Sequence, residues 1–176
     1  ASGLATKYMA QDNASMVGVI GSGFQARSQL EAICAVRDIK QAKVFSRREE
    51  RRTDFANRMS GRLQIDIQPV ATSEECVSDS DIVVTITSSR EPVFKGDSLK
   101  QGSHVNAAGG NHWMRAEIDE RTVTRSSLIV VDDLEQAKVE CGDLLSAEAR
   151  GTFRWDMAQE LRDVVGGRIP GRSSKD

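Results

Sequence analysis

The amino-acid sequence predicts an α/β fold, a doubly wound and mainly parallel sheet of six strands with helices on both faces. Short apolar runs rich in β-branched residues alternate along the chain with segments of helical periodicity. The first apolar run leads directly into a glycine-rich turn, and a helix with one apolar stripe follows that turn. Strands that alternate with helices in this way are joined by right-handed crossovers, which makes them parallel.

The first third of the chain predicts three helices and two strands. Apolar residues recur at helical spacing between Leu4 and Met9 and again between Ala26 and Cys34. A charged segment then has Phe55 and Met59 as its apolar anchors, and Gly61 fits the left-handed residue that ends a helix. The predicted bounds are helices at 2–12, 26–34 and 49–60, with buried strands at 16–20 and 42–45.

The rest of the chain predicts four strands and three helices. Thr72 with Glu75 forms a capping box for a short helix, and Asp119 caps the next helix. Asp156 with Gln159 starts the last helix, which a pair of glycines ends. The strands are predicted at Leu63–Val70, Asp81–Thr87, Ser103–Ala108 and Leu128–Val131, and the last two helices at about 119–126 and at Met157–Val165.

The composition narrows the class of protein. A length of 176 residues favours one domain, and a net charge of -2 gives no indication of a nucleic-acid or membrane-surface partner. The three cysteines are far apart and odd in number, which favours a reducing compartment, so we expect a cytoplasmic protein. No apolar run approaches the roughly 20 residues that a membrane span needs.

The two ends of the chain suggest an excised domain. The sequence opens without an initiator Met, already within a helical pattern, and its polar last residues directly follow a predicted helix. We therefore expect residues 1–176 to be one domain whose flanking segments are missing on both sides. A small natural protein with trimmed ends is the alternative.

The glycine-rich turn is Gly21-Ser22-Gly23-Phe24-Gln25-Ala26, and its setting between a buried strand and an apolar-striped helix predicts a dinucleotide-binding Rossmann domain. The first glycine permits the tight turn, the second lets a pyrophosphate approach the backbone, and the alanine lets the helix pack closely on the strand. The phosphates would lie on free N–H groups at the positive end of that helix. Alternatively, the glycines only make a tight connection.

The end of the second strand predicts which nicotinamide dinucleotide binds. An acidic residue there would accept hydrogen bonds from the ribose 2′-hydroxyl, but this chain has Ser46-Arg47-Arg48 instead. A guanidinium forms bidentate, charge-assisted bonds with a 2′-phosphate, so the sequence favours NADP, with NAD possible. We interpret Arg51 and Arg52 as part of a solvated helix face.

The ends of the fourth and fifth strands predict the nicotinamide side of the site, because dinucleotides bind beyond the carboxyl ends of the strands. Thr87 and Ser88 follow the fourth strand, and Ala108 and Gly109 follow the fifth. Glycines after the fifth strand would let a flat ring approach the backbone. A simple loop is the alternative interpretation, and the two are compatible.

The remaining His, Glu, Asp and Cys side chains are interpreted as structural rather than catalytic or metal-binding. His104 precedes an apolar strand and is expected to pack or form hydrogen bonds, and with only His112 as a second histidine no metal site is predicted. Glu140 and Asp143 are interpreted as capping or solvated residues. No cysteine has the His and carboxylate partners of a nucleophile.

The chain resembles the ornithine cyclodeaminase/mu-crystallin family over essentially all of its length. The resemblance is carried by ordered segments rather than by the glycine turn alone. These segments are Val19–Ala26 with its unusual Gln25, Asp81–Ser88 followed by Pro92-Val93, Gly102–Gly109, Arg115–Asp119, Val131–Ala137, Cys141–Leu144 and Gly166–Arg172.

The resemblance implies one of the two domains of an enzyme whose relatives are homodimers. A second domain, built from the segments on either side of the Rossmann domain, would supply the Lys and Arg groups that hold a small amino or imino acid. The implied reactions transfer hydride between nicotinamide and the α-carbon of that substrate. They include ornithine cyclodeamination to proline, alanine dehydrogenation, and reduction of cyclic ketimines such as pyrroline-2-carboxylate.

One position departs from the family pattern. Cyclodeaminases that the chain resembles have an aspartate after the glycine pair, where this chain has Asn111. An ionised carboxylate can act as a base, whereas an amide at neutral pH can only orient an imine or a water by hydrogen bonding. Asn111 is therefore the candidate catalytic residue of a reductase, or else a loop residue that tolerates a left-handed backbone.

These observations predict an NADP-preferring oxidoreductase module that acts on a small imino or amino acid, most specifically by ketimine reduction. A true ornithine cyclodeaminase is the first alternative, and a protein that binds nucleotide and ligand without turnover is the second. Another Rossmann family with a similar second-strand end, such as shikimate dehydrogenase, is a weaker third. Cofactor consumption would separate the reductase from the cyclodeaminase.

Overall fold

The computed structural model describes residues 1–173, which contain eight α-helices, seven strands and two single turns of 3₁₀ helix. The helices are α1 (Ser2–Met9), α2 (Phe24–Cys34), α3 (Glu49–Leu63), α4 (Ser73–Val77), α5 (Glu120–Arg125), α6 (Leu134–Glu140), α7 (Gly142–Ala149) and α8 (Leu161–Val165). The strands are β1 (Met16–Ile20), β2 (Gln41–Phe45), β3 (Asp66–Pro69), β4 (Ile82–Thr85), β5 (His104–Ala107), β6 (Ile129–Val131) and β7 (Ala158–Glu160).

Five parallel strands form the main sheet in the order β3-β2-β1-β4-β5. The chain winds outward from β1 to one edge and then returns to build the other, which is the doubly wound arrangement that the sequence predicts. In the centre of the sheet, Val17 on β1 lies in register with Ala42 on one side and Ile82 on the other. The α/β class and the parallel sheet are therefore confirmed.

The prediction of six strands in one sheet is wrong. Strand β6 pairs in parallel with β7 in a separate two-stranded sheet, with Ile129 opposite Ala158. The cause lies in residues 158–160, which the sequence pattern predicts to belong to the last helix. Ala158 and Glu160 are buried while Gln159 between them is only half-buried, and this alternation is typical of a strand.

The last helix consequently begins at Leu161 rather than at Met157. Asp156 does not cap it, because its carboxylate accepts hydrogen bonds from the exposed Arg154 at 3.0 and 3.1 Å. Gln159 is paired in register with Val130. The pairing of these two strands therefore overrides the local capping signal.

Gly61 does not end the third helix as predicted. Helix α3 continues to Leu63, and Gln64 takes the left-handed conformation with φ 57°. The third strand is accordingly shorter than expected, Asp66–Pro69. The predicted caps of the two following helices are confirmed, because the Thr72 side chain accepts from the Glu75 N–H at 3.1 Å and Asp119 from the Thr122 N–H at 2.8 Å.

Two apolar clusters cover the two faces of the main sheet. Successive side chains of β4 point to opposite faces and so enter different clusters. Ile82 and Val84 belong to the cluster under α2 and α3, whereas Val83 belongs to the cluster near α4. A third cluster, centred on Phe153 and Leu144, joins the small sheet to α7. The carboxyl ends of β1, β4 and β5 remain at one edge of the main sheet, and this edge holds the candidate site.

Candidate functional site

The turn after β1 has two glycines with different surroundings. Gly21 has φ 113°, and a Cβ there would collide with the carbonyl oxygen of Ile86. Gly23 has an extended backbone, and a Cβ there would meet no protein atom within 4 Å. The fold thus needs a glycine at position 21, whereas at position 23 it leaves open space.

The open space beside Gly23 lies at the N-terminus of α2. No side chain caps this helix, whose 11 residues begin at Phe24. Ala26 is fully buried against the sheet, while the Phe24 ring is exposed over 86% of its surface. Uncapped N–H groups at a positive helix end, with space in front of them, are what a pyrophosphate requires.

The end of β2 lies beside this turn. The Ser22 hydroxyl donates to the Ser46 hydroxyl at 3.0 Å, and Ser46 in turn donates to the Arg48 carbonyl at 3.1 Å. Arg47 and Arg48 are exposed, and within residues 1–173 neither forms an ion pair. The two guanidinium groups are therefore available to an anion at this corner of the sheet.

Arg52 departs from its predicted role as a solvated residue. It is half-buried and donates to the Ser46 carbonyl at 3.2 Å, and it lies 3.6 Å from the Glu49 carboxylate. Arg52 thereby holds the end of β2 in place. Arg51 is exposed, as the prediction of a solvated face requires.

A buried carboxylate that sequence reasoning missed organises the ends of β4 and β5. Glu117 is completely buried and accepts hydrogen bonds from four donors at this edge. Its Oε2 accepts from the Thr85 hydroxyl at 2.9 Å and the Gly109 N–H at 2.6 Å. Its Oε1 accepts from the Thr87 N–H at 2.5 Å and the Thr87 hydroxyl at 2.6 Å. A buried carboxylate is costly unless donors surround it in this way.

Asp143 is a second buried carboxylate, and its interpretation as capping or solvated is wrong. Its Oδ1 accepts from the N–H groups of Glu117 at 2.6 Å and Ile118 at 3.0 Å. Burial raises its pKa to about 6, although the two backbone hydrogen bonds oppose the shift and the nearby Glu117 charge adds to it. Asp143 therefore anchors the backbone that carries Glu117.

Both carboxylates explain the glycines after β5. A Cβ on Gly109 would lie 2.6 Å from the Glu117 carboxylate, and a Cβ on Gly110 would collide with Asp143. The Gly109–Gly110 pair is the available sequence signal for these carboxylates, although from the sequence it indicates access for a flat ring or a simple loop. Packing against the protein interior gives a sufficient reason for both glycines.

Asn111 lies in the loop after β5, directly after the two glycines. It is exposed, its Oδ1 accepts from the Arg115 guanidinium at 3.1 Å, and its backbone bridges to Cys141. The neighbouring Gly142 N–H donates to the Gly110 carbonyl at 3.3 Å. The amide group of Asn111 is thus held by its carbonyl end, so its NH₂ can donate to a ligand. Of the other predicted residues, Ser88 is exposed and Ala108 half-buried at the same edge.

The histidines and cysteines show no reactive arrangement. His104 is buried, and burial lowers its pKa to about 4 despite a hydrogen bond with Asn106. Its Nε2 has no hydrogen-bond partner among residues 1–173. Burial raises the pKa of Cys141 to about 11, which disfavours a thiolate. Within the described chain, no group of His, Cys, Asp and Glu is arranged to hold a metal ion.

The helices that the structure describes are all too short or too polar to cross a lipid bilayer. The longest, α3, has 15 residues and carries charges along most of its length.

Comparison with known proteins places the whole chain in one family. The family model for the ornithine cyclodeaminase/mu-crystallin family matches residues 1–176. The chain is 34% identical to Delta(1)-pyrroline-2-carboxylate reductase of a Bacillus cereus strain over 98% of its length, and 36% identical to alanine dehydrogenase of Archaeoglobus fulgidus over 99% of its length. It spans 53% of each of these relatives, or about half.

A solved structure shows the same fold. The Delta(1)-pyrroline-2-carboxylate reductase of Thermococcus litoralis, in complex with NADH and L-proline, superposes with a TM-score of 0.95 at 38% identity. The match covers 99% of this chain and 54% of that one.

Proposed function

The chain belongs to the ornithine cyclodeaminase/mu-crystallin family, and on that premise we propose that it binds a nicotinamide dinucleotide for the reduction of a small cyclic imino acid. The observation that carries the proposal is the open space at Gly23, in front of the uncapped N-terminus of α2. The protein needs no glycine there for its own packing, and a side chain would occupy the space in which a pyrophosphate would approach the helix.

Different residues at the carboxyl edge of the main sheet would bind the two parts of the dinucleotide. Gly21–Ala26 would hold the pyrophosphate on the N–H groups of α2, and Thr87, Ser88, Ala108 and Gly109 would form the floor on the nicotinamide side. A bound nicotinamide supplies hydride chemistry that no side chain can perform. The protein positions and shields the reacting groups.

The cofactor proposed is NADP, with NAD as the alternative. Exposed Arg47 and Arg48 follow β2, where an acidic residue would favour NAD, and Ser46 adds a hydroxyl beside them. The Thermococcus relative binds NADH, so the preference rests on these arginines alone and is tested separately below.

Ketimine reduction is favoured over cyclodeamination because of Asn111. Its Oδ1 is occupied by Arg115, which leaves an amide NH₂ that can donate to a substrate but cannot accept a proton at neutral pH. Asn111 would therefore orient the imine or a water, and the proton would come from solvent. The sequence relatives named for pyrroline-carboxylate reduction agree with this choice.

The test uses the full-length protein with pyrroline-2-carboxylate and either reduced cofactor, followed by nicotinamide absorbance. We expect steady oxidation of NADPH and formation of proline. Conversion of ornithine to proline with no net cofactor consumption would establish the cyclodeaminase instead. Ligand binding without any turnover would leave only a binding protein. In the Asn111→Asp variant, gain of ornithine turnover would show that a carboxylate supplies the missing base.

We further propose that these residues are the nucleotide-binding half of a two-domain, homodimeric enzyme. The substrate would be held mainly by Lys and Arg side chains of the other half. Without them we expect no side chain among residues 1–173 to fix the substrate carboxylate, and positioning contributes roughly 7–11 kcal/mol to lowering a barrier. The 176-residue chain should therefore show no turnover of pyrroline-2-carboxylate with NADPH. Turnover comparable to the full-length protein would place the entire site within this chain.

A further inference from the structure

We propose that Glu117 is the positioning residue of the nicotinamide side, an inference that rests on the proposed function. Glu117 is not expected to touch substrate or cofactor, because it is completely buried beneath the ends of β4 and β5. Its role would be to hold the two strand ends in one fixed relation. The position of the nicotinamide ring would depend on that relation.

The hydrogen bonds of Glu117 join two separate strands. Thr85 is the last residue of β4 and Thr87 lies just beyond it, whereas Gly109 follows β5. Each carboxylate oxygen accepts two of the four bonds, with donor distances between 2.5 and 2.9 Å. Such short bonds to a charged acceptor in a buried site are strong, so the two strand ends cannot move independently.

The same carboxylate reaches the phosphate turn through Thr87. The methyl group of Thr87 lies 3.3 Å from the position of a Cβ on Gly21, and the Ile86 N–H donates to the Ile20 carbonyl at 2.9 Å. Thr87 also accepts from the Ser89 N–H at 3.1 Å through its hydroxyl. Fixing the Thr87 rotamer thus fixes both the floor of the turn and the start of the loop after β4.

The backbone of Glu117 is itself fixed. Asp143 accepts from its N–H, and its carbonyl accepts from the Val93 N–H at 2.9 Å. The side chain has no room to withdraw, because Gly109 packs directly on the carboxylate. Replacement by glutamine keeps the volume but turns an NH₂ group toward one backbone N–H and one threonine hydroxyl. The hydroxyl can rotate and accept from the NH₂, but the backbone N–H of Thr87 or Gly109 loses its acceptor in either orientation of the amide.

The experiment compares two ligands that share the adenosine half, NADPH and 2′-phospho-ADP-ribose, by titration calorimetry. In Glu117→Gln, the affinity for NADPH should fall about tenfold or more, because the strand ends under the nicotinamide are no longer held in the binding geometry, while that for 2′-phospho-ADP-ribose changes less than about twofold. Thr85→Val removes one donor with little change in shape and should move the same ratio in the same direction by a smaller factor. It replaces the glutamine variant should that one fail to fold.

The matched control is Asp81→Asn at the opposite end of β4. The half-buried Asp81 carboxylate accepts from the N–H groups of Ser15 at 2.9 Å and Met16 at 3.0 Å, so it joins strand starts as Glu117 joins strand ends. Asparagine keeps one oxygen for both N–H groups but loses the ion pair with Lys100, whose Nζ lies 2.5 Å from the Asp81 carboxylate. This variant should therefore lose some stability and keep the wild-type ratio of affinities. Equal losses for both ligands in Glu117→Gln, or no loss for either, would overturn the inference while leaving the proposed function intact. If the wild-type chain binds neither NADPH nor 2′-phospho-ADP-ribose, both the inference about Glu117 and the proposed function are contradicted.

Discussion

The Glu117 carboxylate lies 2.6 Å from the point where a Cβ on Gly109 would be, and it accepts the Gly109 N–H at the same distance. The backbone after β5 therefore rests directly on a buried charge. A glycine at this position is required by the interior of the protein. Gly23 shows the opposite case, because the space that its missing side chain leaves is open to solvent.

Gly109→Ala should destabilise the protein. The added methyl group would push against the Glu117 carboxylate and the Thr87 carbonyl, which are held by other bonds and cannot easily move. Overpacking of this kind costs about 1–3 kcal/mol. Urea denaturation measures the loss, and Gly61→Ala on the open face of α3 is the matched control, expected to gain about 0.5–1 kcal/mol. A stability change of the same sign in both variants would contradict this explanation of Gly109.

Gly23→Val should abolish dinucleotide binding and leave the fold intact. Valine can adopt the extended backbone of Gly23, and its Cβ meets no protein atom within 4 Å, so stability should remain near that of the parent. Its side chain would occupy the space proposed for the pyrophosphate. Calorimetry with NADPH measures binding, and thermal denaturation confirms folding. Equal affinity in the variant and the parent would disprove the site.

Arg47→Ala should remove most of a preference for NADP over NAD. A charge-assisted hydrogen bond contributes about 1.5–3 kcal/mol, which is roughly a factor of 10–150 in affinity. Binding of NAD should hardly change, since it lacks the phosphate. The control is Arg51→Ala, an exposed arginine of the same segment that should leave both affinities as they are. A parent protein that binds NAD and NADP equally, at matched salt, would refute the preference.

The sequence predicted the central fold because its signals were local. The β-branched run before Gly21 and the apolar stripe after Ala26 each determine one element, and their order determines the parallel sheet. The small sheet could not be predicted in the same way. Residues 158–160 become a strand only because Ile129–Val131 lies beside them, and no local pattern reports that neighbour.

The candidate site likewise contains residues that local sequence signals reveal and residues that they do not. The turn at Gly21–Ala26 and the arginines after β2 were identifiable because each occupies a fixed place relative to a strand. Glu117 and Asp143 were missed, since charged residues in loops and in the first turn of a helix are usually solvated. Their burial depends on contacts with residues up to 32 positions away in the chain. The two consecutive glycines at 109 and 110 were the only local trace of them.

His104 should make the protein less stable in acid. Its burial lowers the pKa to about 4, with the charges of Arg172 and Arg37 acting in the same direction. The unfolded chain, with a histidine pKa near 6.5, therefore takes up the proton first. The stabilisation is complete above about pH 6.5 and is lost as the pH falls toward 4, by up to about 3 kcal/mol. Denaturation of His104→Asn across this range should show no such loss of stability, in contrast to the parent. A difference in unfolding free energy between variant and parent that stays the same at all pH values would contradict this role of His104.

Asp143 should act in the opposite sense, and Asp143→Asn tests it most directly. Its pKa in the folded state is raised to about 6, so its contribution is most favourable below the unfolded value of 3.8 and is lost as the pH rises through 6. Asparagine keeps the Oδ1 that accepts both backbone hydrogen bonds and removes the buried charge beside Glu117. The variant should therefore be more stable than the parent at pH 7.5, by about 1–3 kcal/mol, with the advantage disappearing near pH 4.

The two groups titrate over overlapping ranges, so their effects on the parent partly cancel. In Asp143→Asn the free energy of unfolding should rise more steeply from pH 4 to 6.5 than in the parent, because His104 is then unopposed. In His104→Asn it should rise less or fall over the same interval, and in the double variant the two changes should add, since neither residue is among the hydrogen-bond or charge partners of the other. Chemical denaturation at half-unit steps of pH resolves these slopes. A loss of stability in Asp143→Asn at pH 7.5 would show that the charged carboxylate, rather than its two accepted hydrogen bonds, stabilises the backbone beneath the site.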